Sequence, residues 1–452
     1  MRDPVIGVVG AGYVGLTTTA CLAHLGNRVI CVDVDGSKVD GLRHGEVPIA
    51  EPGLAELVAE GLAARRLEFT TDASTLGDAE VVLLCLPTPM GEAGVADLSV
   101  LESALGELAG VLAPGCVVVM KSTVPVGTTA RAGELLGRSD VPVVSNPEFL
   151  REGHAVHDFL HPDRIVVGTE DTGAAARVVG LYAALDAPVL RTDPASAELA
   201  KYASNAFLAL KLSYVNALAE LCERVGADVR AVGRVLGLDN RIGPAFLAPG
   251  PGWGGSCLPK DTSALLRTAE AAGVDFGLLR ETVAVNVAQR ERVVRKVRRA
   301  VTGSPRGSLA GVRLGLLGLT FKAGTDDLRH SPALAVAAEL SRAGAVLTAY
   351  DPRAGGAGHP DLDGIALVDD PYLVAKDAAG IVLLTEWPEF RDLDWATLAA
   401  LADHAAVVDT RNLLDPDTLC GTGWVHTGIG TPGDQDEPDG TGGADGPRAD
   451  RR

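Results

Sequence analysis

Residues 5–33 read VIGVVGAGYVGLTTTACLAHLGNRVICVD, and no other stretch limits the fold so narrowly. An apolar run, Val5 to Val9, stops at Gly10-Ala-Gly12-Tyr13-Val14-Gly15. A helical stretch follows, and a second apolar run ends in Asp33. Strand, glycine turn, helix and strand in this order make a βαβ unit. Gly12 lets the backbone approach a pyrophosphate, which then sits at a helix N-terminus. Asp33 lies 18 residues past Gly15, where a strand-end carboxylate accepts from both ribose hydroxyls and repels a 2′-phosphate. The pattern reads as a site for NAD rather than NADP. The alternative is a glycine-rich turn with packing duties alone.

The plan recurs. VRLGLLGLTFKAGTDDLRHSPALAVAAELSRAGAVLTAYDP (312–352) again gives strand, turn, helix and strand, with Gly344 matching Gly26 and Asp351 matching Asp33. It lacks GxGxxG, so this unit is expected to bind something other than a dinucleotide. VVLLCLPTP (81–89), VVVMKSTVP (117–125) and PVVSNPEFL (142–150) read as buried parallel strands. IVLLTEW (381–387) and AVVDTRN (406–412) extend the second sheet. Between the units, SAELAKYASNAFLALKLSYVNALAELCERVG (196–226) is one long helical pattern without proline, and 283–301 is another. The fold class is therefore α/β: two Rossmann-like doubly wound domains joined by a central helical region with one long helix. The expected boundaries are 1–195, 196–303 and 304–430. The Gly-, Pro- and Asp-rich segment 431–452 reads as a disordered tail.

Composition excludes several classes. A net charge of −19 over 452 residues argues against nonspecific nucleic-acid or anionic-membrane binding. No apolar run reaches the ~18–20 residues of a membrane span, and no signal-peptide layout precedes the first strand. The seven cysteines have no CxxC spacing and the nine histidines no HExxH cluster, which suits a cytoplasmic protein without a metal site.

In open α/β sheets, ligands sit beyond the carboxyl ends of the strands. Residues near such ends are therefore candidates. Asn146-Pro147-Glu148 reads as a helix start, with Asn as N-cap and with Glu148 and Glu152 on one face; helix-dipole complementarity is the alternative. Lys201 and Asn205 share a face of the mostly apolar long helix, where burying them is costly unless something uses them. The alternative is a solvated stripe. Lys322 and Arg329 sit in the second unit's turn and suit a phosphate, or are ordinary loop charge. Cys257 lies in GPGWGGSCLPKDTSAL (250–265), beside Lys260, a cation that would favour its thiolate. It is either a nucleophile or a small apolar residue in a turn.

Taken together, these motifs resemble the UDP-glucose/GDP-mannose dehydrogenase family, on its glucose branch. The resemblance covers about residues 4 to 430. It rests on GAGYVGL (10–16), CLPTP (85–89), KSTVPVGT (121–128), NPEFLREG (146–153), ELAKYASNAFLA (198–209), RIG (241–243), GWGGSCLPKD (252–261), GLTFKAGTDDLR (318–329) and DTRN (409–412), in that order. Trp253, where Phe or Tyr is more usual, and Ala217, often Glu, depart from the pattern.

The resemblance implies a four-electron oxidation at C6 of a nucleotide-linked glucose, using two NAD⁺ and one water. UDP-glucose would become UDP-glucuronate. By position, Cys257 is the nucleophile that forms a thiohemiacetal and then a thioester. Lys201 and Asn205 would stabilise oxyanion character. Asp261 and Thr123 would position the water or proton acceptor, and Glu148 would assist hydrolysis. Gly10, Gly12, Tyr13, Val14, Gly15, Asp33, Lys38, Thr88, Thr123, Glu152, Lys260 and Arg329 match positions that contact NAD. Glu148, Phe149, Leu150, Lys201, Asn205, Arg241, Phe246, Leu247, Ala248, Pro249, Gly250, Gly254, Cys257, Phe321 and Lys322 match the nucleotide-sugar site. The resemblance also implies a homodimer built on the central helices, with Arg241 reaching the mate's site. The same chemistry on dTDP-glucose stays open, because one methyl separates the bases and is worth only about 1–3 kcal/mol. Two rivals have different mechanisms: a two-electron dehydrogenase with a structural Cys257, and a non-catalytic sensor of NAD and a nucleotide sugar.

Overall fold

The computed structural model describes residues 5–91, 96–354 and 359–432. Apart from 431 and 432, the segment read as a tail lies outside the described residues. The first sheet has eight strands: β1 (Val5–Val9), β2 (Arg28–Val32), β3 (Leu67–Thr70), β4 (Ala79–Leu84), β5 (Val117–Met120), β6 (Val143–Ser145), β7 (Ile165–Gly168) and β8 (Val189–Thr192). Their spatial order is 3-2-1-4-5-6-7-8, parallel except where β7 meets β6. The second sheet has six, β9 (Arg313–Leu317), β10 (Val346–Tyr350), β11 (Ile365–Leu367), β12 (Ile381–Leu383), β13 (Ala406–Asp409) and β14 (Val425–Thr427), in the order 11-10-9-12-13-14.

Alternation in sequence becomes alternation in space. Val81, Leu83, Val117 and Val119 enter the core on one face of the first sheet, while Val82, Leu84, Val118 and Met120 enter the core on the other. The second sheet divides in the same way, with Leu316 and Val382 on one face and Leu317 and Leu383 on the other. Sheets covered on both sides need such near-continuous apolar strands.

The long central helix, Pro194–Val225, starts where Asp193 accepts from the Ser196 N–H and ends at Gly226 in the left-handed region. Helix Gly277–Thr302 packs beside it. Helix Leu258–Ala271 also packs on it and begins directly after Cys257.

The two units repeat each other closely and then diverge. Gly10 (φ 97) donates to the Val32 carbonyl and Gly318 (φ 91) to the Tyr350 carbonyl. A Cβ at Gly10 would come within 2.6 Å of the Cys85 carbonyl oxygen, so the turn admits no side chain. In the first unit the helix Tyr13–His24 opens three residues later. In the second, helix Pro332–Arg342 waits until residue 332, and the intervening loop carries Phe321, Lys322 and Arg329. Asp33 accepts from Ala11 N–H (2.7 Å), Asp35 N–H and Lys38. Asp351 is saturated by the Leu319, Thr320, Arg353 and Ala354 N–H groups, the Thr320 hydroxyl and the Trp387 indole. That leaves no acceptor for a ribose, which accords with the missing GxGxxG.

Candidate active site

A cavity of about 1020 Å³ runs from the first glycine turn to the cysteine loop. Gly10, Gly12, Tyr13, Val14, Asp33, Lys38 and Thr88 line one end. Thr123, Glu148, Leu150, Glu152, Cys257, Lys260 and Arg329 line the other. The expected cofactor residues and the expected nucleophile thus share one space. A smaller cavity of about 170 Å³, bounded by Arg391 and Trp395, lies in the second unit, away from these groups.

The turn fits a dinucleotide. A Cβ at Gly12 would project into open space, and no side chain caps the helix that follows, so its first N–H groups face the cavity. Gly15 packs so close to Gly10 that any side chain there would strike its carbonyl oxygen. Thr88 donates to the Thr123 carbonyl at 2.8 Å and joins the ends of β4 and β5.

Glu148 and Lys201 form a buried pair, with Oε1 to Nζ at 2.9 Å and side chains 7% and 4% exposed. Desolvation pushes the Glu148 carboxyl up. The charge and hydrogen bond of Lys201, the Leu150 N–H and Lys121 outweigh it and hold the group below the usual carboxylate range. Desolvation pulls Lys201 down, but Glu148, Cys257 and Asp261 together raise it. One turn along the helix, the Asn205 amide donates to Asp261 Oδ2 at 2.5 Å, and Lys260 donates to Oδ1 at 2.6 Å. Phe149 lies beneath two cations, Arg164 at 3.7 Å from its centroid and Lys201 at 5.4 Å.

Cys257 is exposed to the cleft, whereas Cys21, Cys31, Cys85, Cys116 and Cys222 are buried. The contrast with Cys85, which burial pushes up to about 12, separates a packing thiol from an accessible one. The local surroundings correct one expectation. The crowded walls and the Glu148 charge raise the Cys257 thiol, and Lys201 and a hydrogen bond to Ser256 (3.4 Å) only partly offset them. Lys260, the sequence neighbour, is paired with Asp261. The cation that acts on the sulfur comes instead from the long helix.

A second correction concerns Asn146-Pro147-Glu148, which starts no helix. The chain stays irregular until helix Ala155–Leu160. The Asn146 side chain is taken by Lys121, Tyr182 and the Val166 carbonyl, and the Glu148 carboxylate turns back to the Leu150 N–H. Neither side chain is free to cap.

The second unit reaches back to this site. Lys322 donates to the Glu152 carbonyl, and Arg329 lies 3.6 Å from its carboxylate. Glu152 in turn accepts from Ser256 at 2.8 Å, and desolvation, with Asp327 beside it, raises its carboxyl. Gly255 (φ 81) lets the loop pass against the Phe321 ring, at a separation no Cβ would allow. A Cβ at Gly254 would come closer still, within 2.0 Å of the His330 carbonyl oxygen. Gly250 is held by Asn216 and Gln289, and Trp253, buried, donates from its indole to Ser213 at 2.9 Å. Leu247 and Pro249 are buried, Ala248 is exposed, and Phe246 adopts a left-handed φ of 62. Arg241 stands outside the cavity, 88% exposed and paired with Asp239. Lys121, Tyr182, Glu198 and Ser256 escaped the sequence reading, since each acts through a contact distant in sequence or through a hydroxyl with no local pattern. Among the described residues no group of His, Cys, Asp and Glu could hold a metal, and no helix is long and apolar enough to cross a membrane.

Comparison with known proteins agrees with this arrangement along the chain. Residues 4–186 match the NAD binding domain of the UDP-glucose/GDP-mannose dehydrogenase family, 195–288 its central domain and 315–416 its UDP binding domain. A UDP-glucose 6-dehydrogenase of Rhizobium meliloti is 44% identical over 94% of this chain and 99% of its own. The UDP-glucose 6-dehydrogenase TuaD of Bacillus subtilis is 41% identical over 94% and 93%. A solved UDP-glucose dehydrogenase from Pyrobaculum islandicum superposes with a TM-score of 0.82 at 36% identity, covering 94% of this chain and 98% of that one. With all three family domains matched in order along the chain, the chain belongs to the UDP-glucose/GDP-mannose dehydrogenase family.

Proposed function

We propose that the protein oxidises UDP-glucose to UDP-glucuronate. The observation that carries the reading is a single cavity that joins a dinucleotide turn to an exposed cysteine, beside which stands a buried Glu–Lys pair. The names of relatives more than 40% identical over nearly the whole chain supply the substrate and favour it over dTDP-glucose. When bound, NAD⁺ accepts one hydride from C6 in each of two oxidations. Once C6 is an aldehyde, the Cys257 sulfur adds to the carbonyl carbon and its proton passes to the oxygen, giving a thiohemiacetal. Loss of a hydride and the hydroxyl proton leaves a thioester. Water then attacks that carbon, the C–S bond breaks, and the thiol is restored with the acid.

Lys201 and Asn205 face the oxygen that gathers charge in these steps. Asp261 orients both Asn205 and Lys260. Glu148 takes the proton of the attacking water. The second unit, with Phe321 and Lys322 against the cysteine loop, receives the nucleotide sugar. We also read the chain as a cytoplasmic homodimer. Its cysteines are free, and Phe207, Tyr214 and Leu221 recur every seven residues on the long helix at 60%, 53% and 53% exposure. Such an apolar seam suits a second copy.

The test is NADH yield at completion with limiting UDP-glucose, and in parallel limiting dTDP-glucose, on the natural protein and on Cys257→Ser. Two NADH per sugar, with turnover reduced by roughly 10³-fold or more in the variant, is the expected result. One NADH per sugar, or an active variant, would return Cys257 to a packing role.

A further inference from the structure

Lys121 follows β5 directly and Asn146 follows β6, and the two strands pair with Met120 opposite Ser145. Lys121 and Asn146 therefore stand side by side at the carboxyl edge of the sheet. The Lys121 ammonium donates to Asn146 Oδ1 and to the Tyr182 hydroxyl, both at 3.2 Å, and Tyr182 donates to the same Oδ1 at 2.6 Å. The Asn146 amide donates to the Val166 carbonyl at 2.7 Å, so the side chain is fixed from two sides. Lys121 is 5% exposed and lines the cavity that holds Cys257. Among the described residues no carboxylate lies within ion-pair distance of it. A buried ammonium without a carboxylate partner is costly, and the nearby charge it can repay that cost with is Glu148, two residues past Asn146.

We propose that Lys121 is a positioning residue for the hydrolytic half of the reaction: through Asn146 it fixes the strand end that carries Glu148 and, with Lys201, brackets that side chain so that it meets the thioester as a carboxylate. This rests on the reading of Glu148 as the group that takes the proton of water. The balance is simple. Water adds to the thioester carbon, its proton goes to Glu148, the C–S bond breaks, and the sulfur leaves as thiolate. A Glu148 that is already protonated cannot take part.

The groups facing Glu148 are Lys201 from the long helix, Cys257 from the loop ahead of its helix, Cys85 from the end of β4 and Lys121 from the end of β5. Of these, the two lysines lower the carboxyl. Removing either raises it, so the acid limb of hydrolysis must move to higher pH.

The experiment mixes the full-length protein with UDP-glucose and saturating NAD⁺. It follows two signals across the acid range: NADH release, and the covalent sugar adduct by acid quench and intact mass. In Lys121→Met the acid limb of adduct hydrolysis is expected to move to higher pH, in the same direction as in Lys201→Met. The adduct then accumulates while the first NADH appears at the natural rate. Lys121→Gln, which keeps a donor but no charge, is expected to do the same, so a poorly folded methionine variant leaves the question answerable. Lys121→Arg restores the charge and returns the limb toward its natural position. Tyr182→Phe removes a hydrogen bond but no charge and leaves the limb in place. An unmoved limb in both neutral variants overturns the proposal and makes Lys121 a strut. A Glu148→Gln protein that hydrolyses its adduct at the natural rate would instead sink the underlying assignment of Glu148, whatever Lys121 does.

Discussion

Cys257 has two opposed influences within its own site. Desolvation and the Glu148 charge raise the thiol, and Lys201 and Ser256 lower it. Because the net direction is upward, alkylation by iodoacetamide is expected to titrate above the range of a simple thiol. Lys201→Met should move the midpoint higher still, as read from the labelling rate against pH. The same variant leaves Glu148 buried without its main counter-charge, which costs about 3–5 kcal/mol, visible as a lowered urea midpoint. The sign with pH follows from the direction of the shift. The Glu148 carboxyl is depressed in the fold, so its contribution is complete above the ordinary carboxylate range and is lost as pH falls through the depressed value. In Lys201→Met the burial of the carboxylate has lost its main opponent, so protonation of Glu148 relieves part of the variant's deficit as pH falls, and the gap to the natural protein narrows in acid. At this scale the sequence told much: Cys257, Lys201, Asn205, Glu148 and Asp261 stand together as their motifs suggested. Lys121 and Ser256 could not be found that way. Their importance lies in contacts with Asn146 and Glu152, residues 25 and 104 positions away.

The long central helix was legible at the level of the element, because a helical pattern that runs without proline over 196–226 leaves little choice, and the structure adds Pro194 in the first turn and Gly226 after the end. Asn146-Pro147-Glu148 misled for a physical reason, since an N-cap side chain works only when tertiary contacts leave it free. Glu198 illustrates a link that no local pattern carries. It sits in the long helix, yet accepts from the Gly127 and Thr129 N–H groups (2.6 and 2.7 Å) and from the Thr129 hydroxyl. It thereby caps helix Thr128–Leu136 from outside and ties it to the element that bears Lys201. Glu198→Ala leaves these donors buried and unpaired, so a loss of about 1–3 kcal/mol is expected, measured by urea unfolding.

For the whole molecule, the alternation of the two sheets with the helical region between them followed from the sequence, but the strands β3, β7, β8, β11 and β14 and the clasp between the units did not. Lys322, Arg329 and Phe321 were expected at a ligand, and the fold also uses them to hold the second unit against Glu152 and Gly255. The proposed dimer seam makes its own prediction. Phe207→Asp with Leu221→Asp places two charges on it. The protein is expected to sediment as a monomer at concentrations where the natural chain is a dimer, and the far-UV circular dichroism should stay the same.

Asp351 is closed off by six donated hydrogen bonds, while Asp33 lines the large cavity beside the glycine turn, so the described residues offer one berth for a dinucleotide and not two. A reaction that removes two hydrides must then run as a queue. The first reduced cofactor has to depart and a fresh one arrive while the half-oxidised sugar waits. In the proposed mechanism the bond to Cys257 gives the protein a memory across that interval: it records that one oxidation is done and keeps the sugar's place until the second cofactor docks.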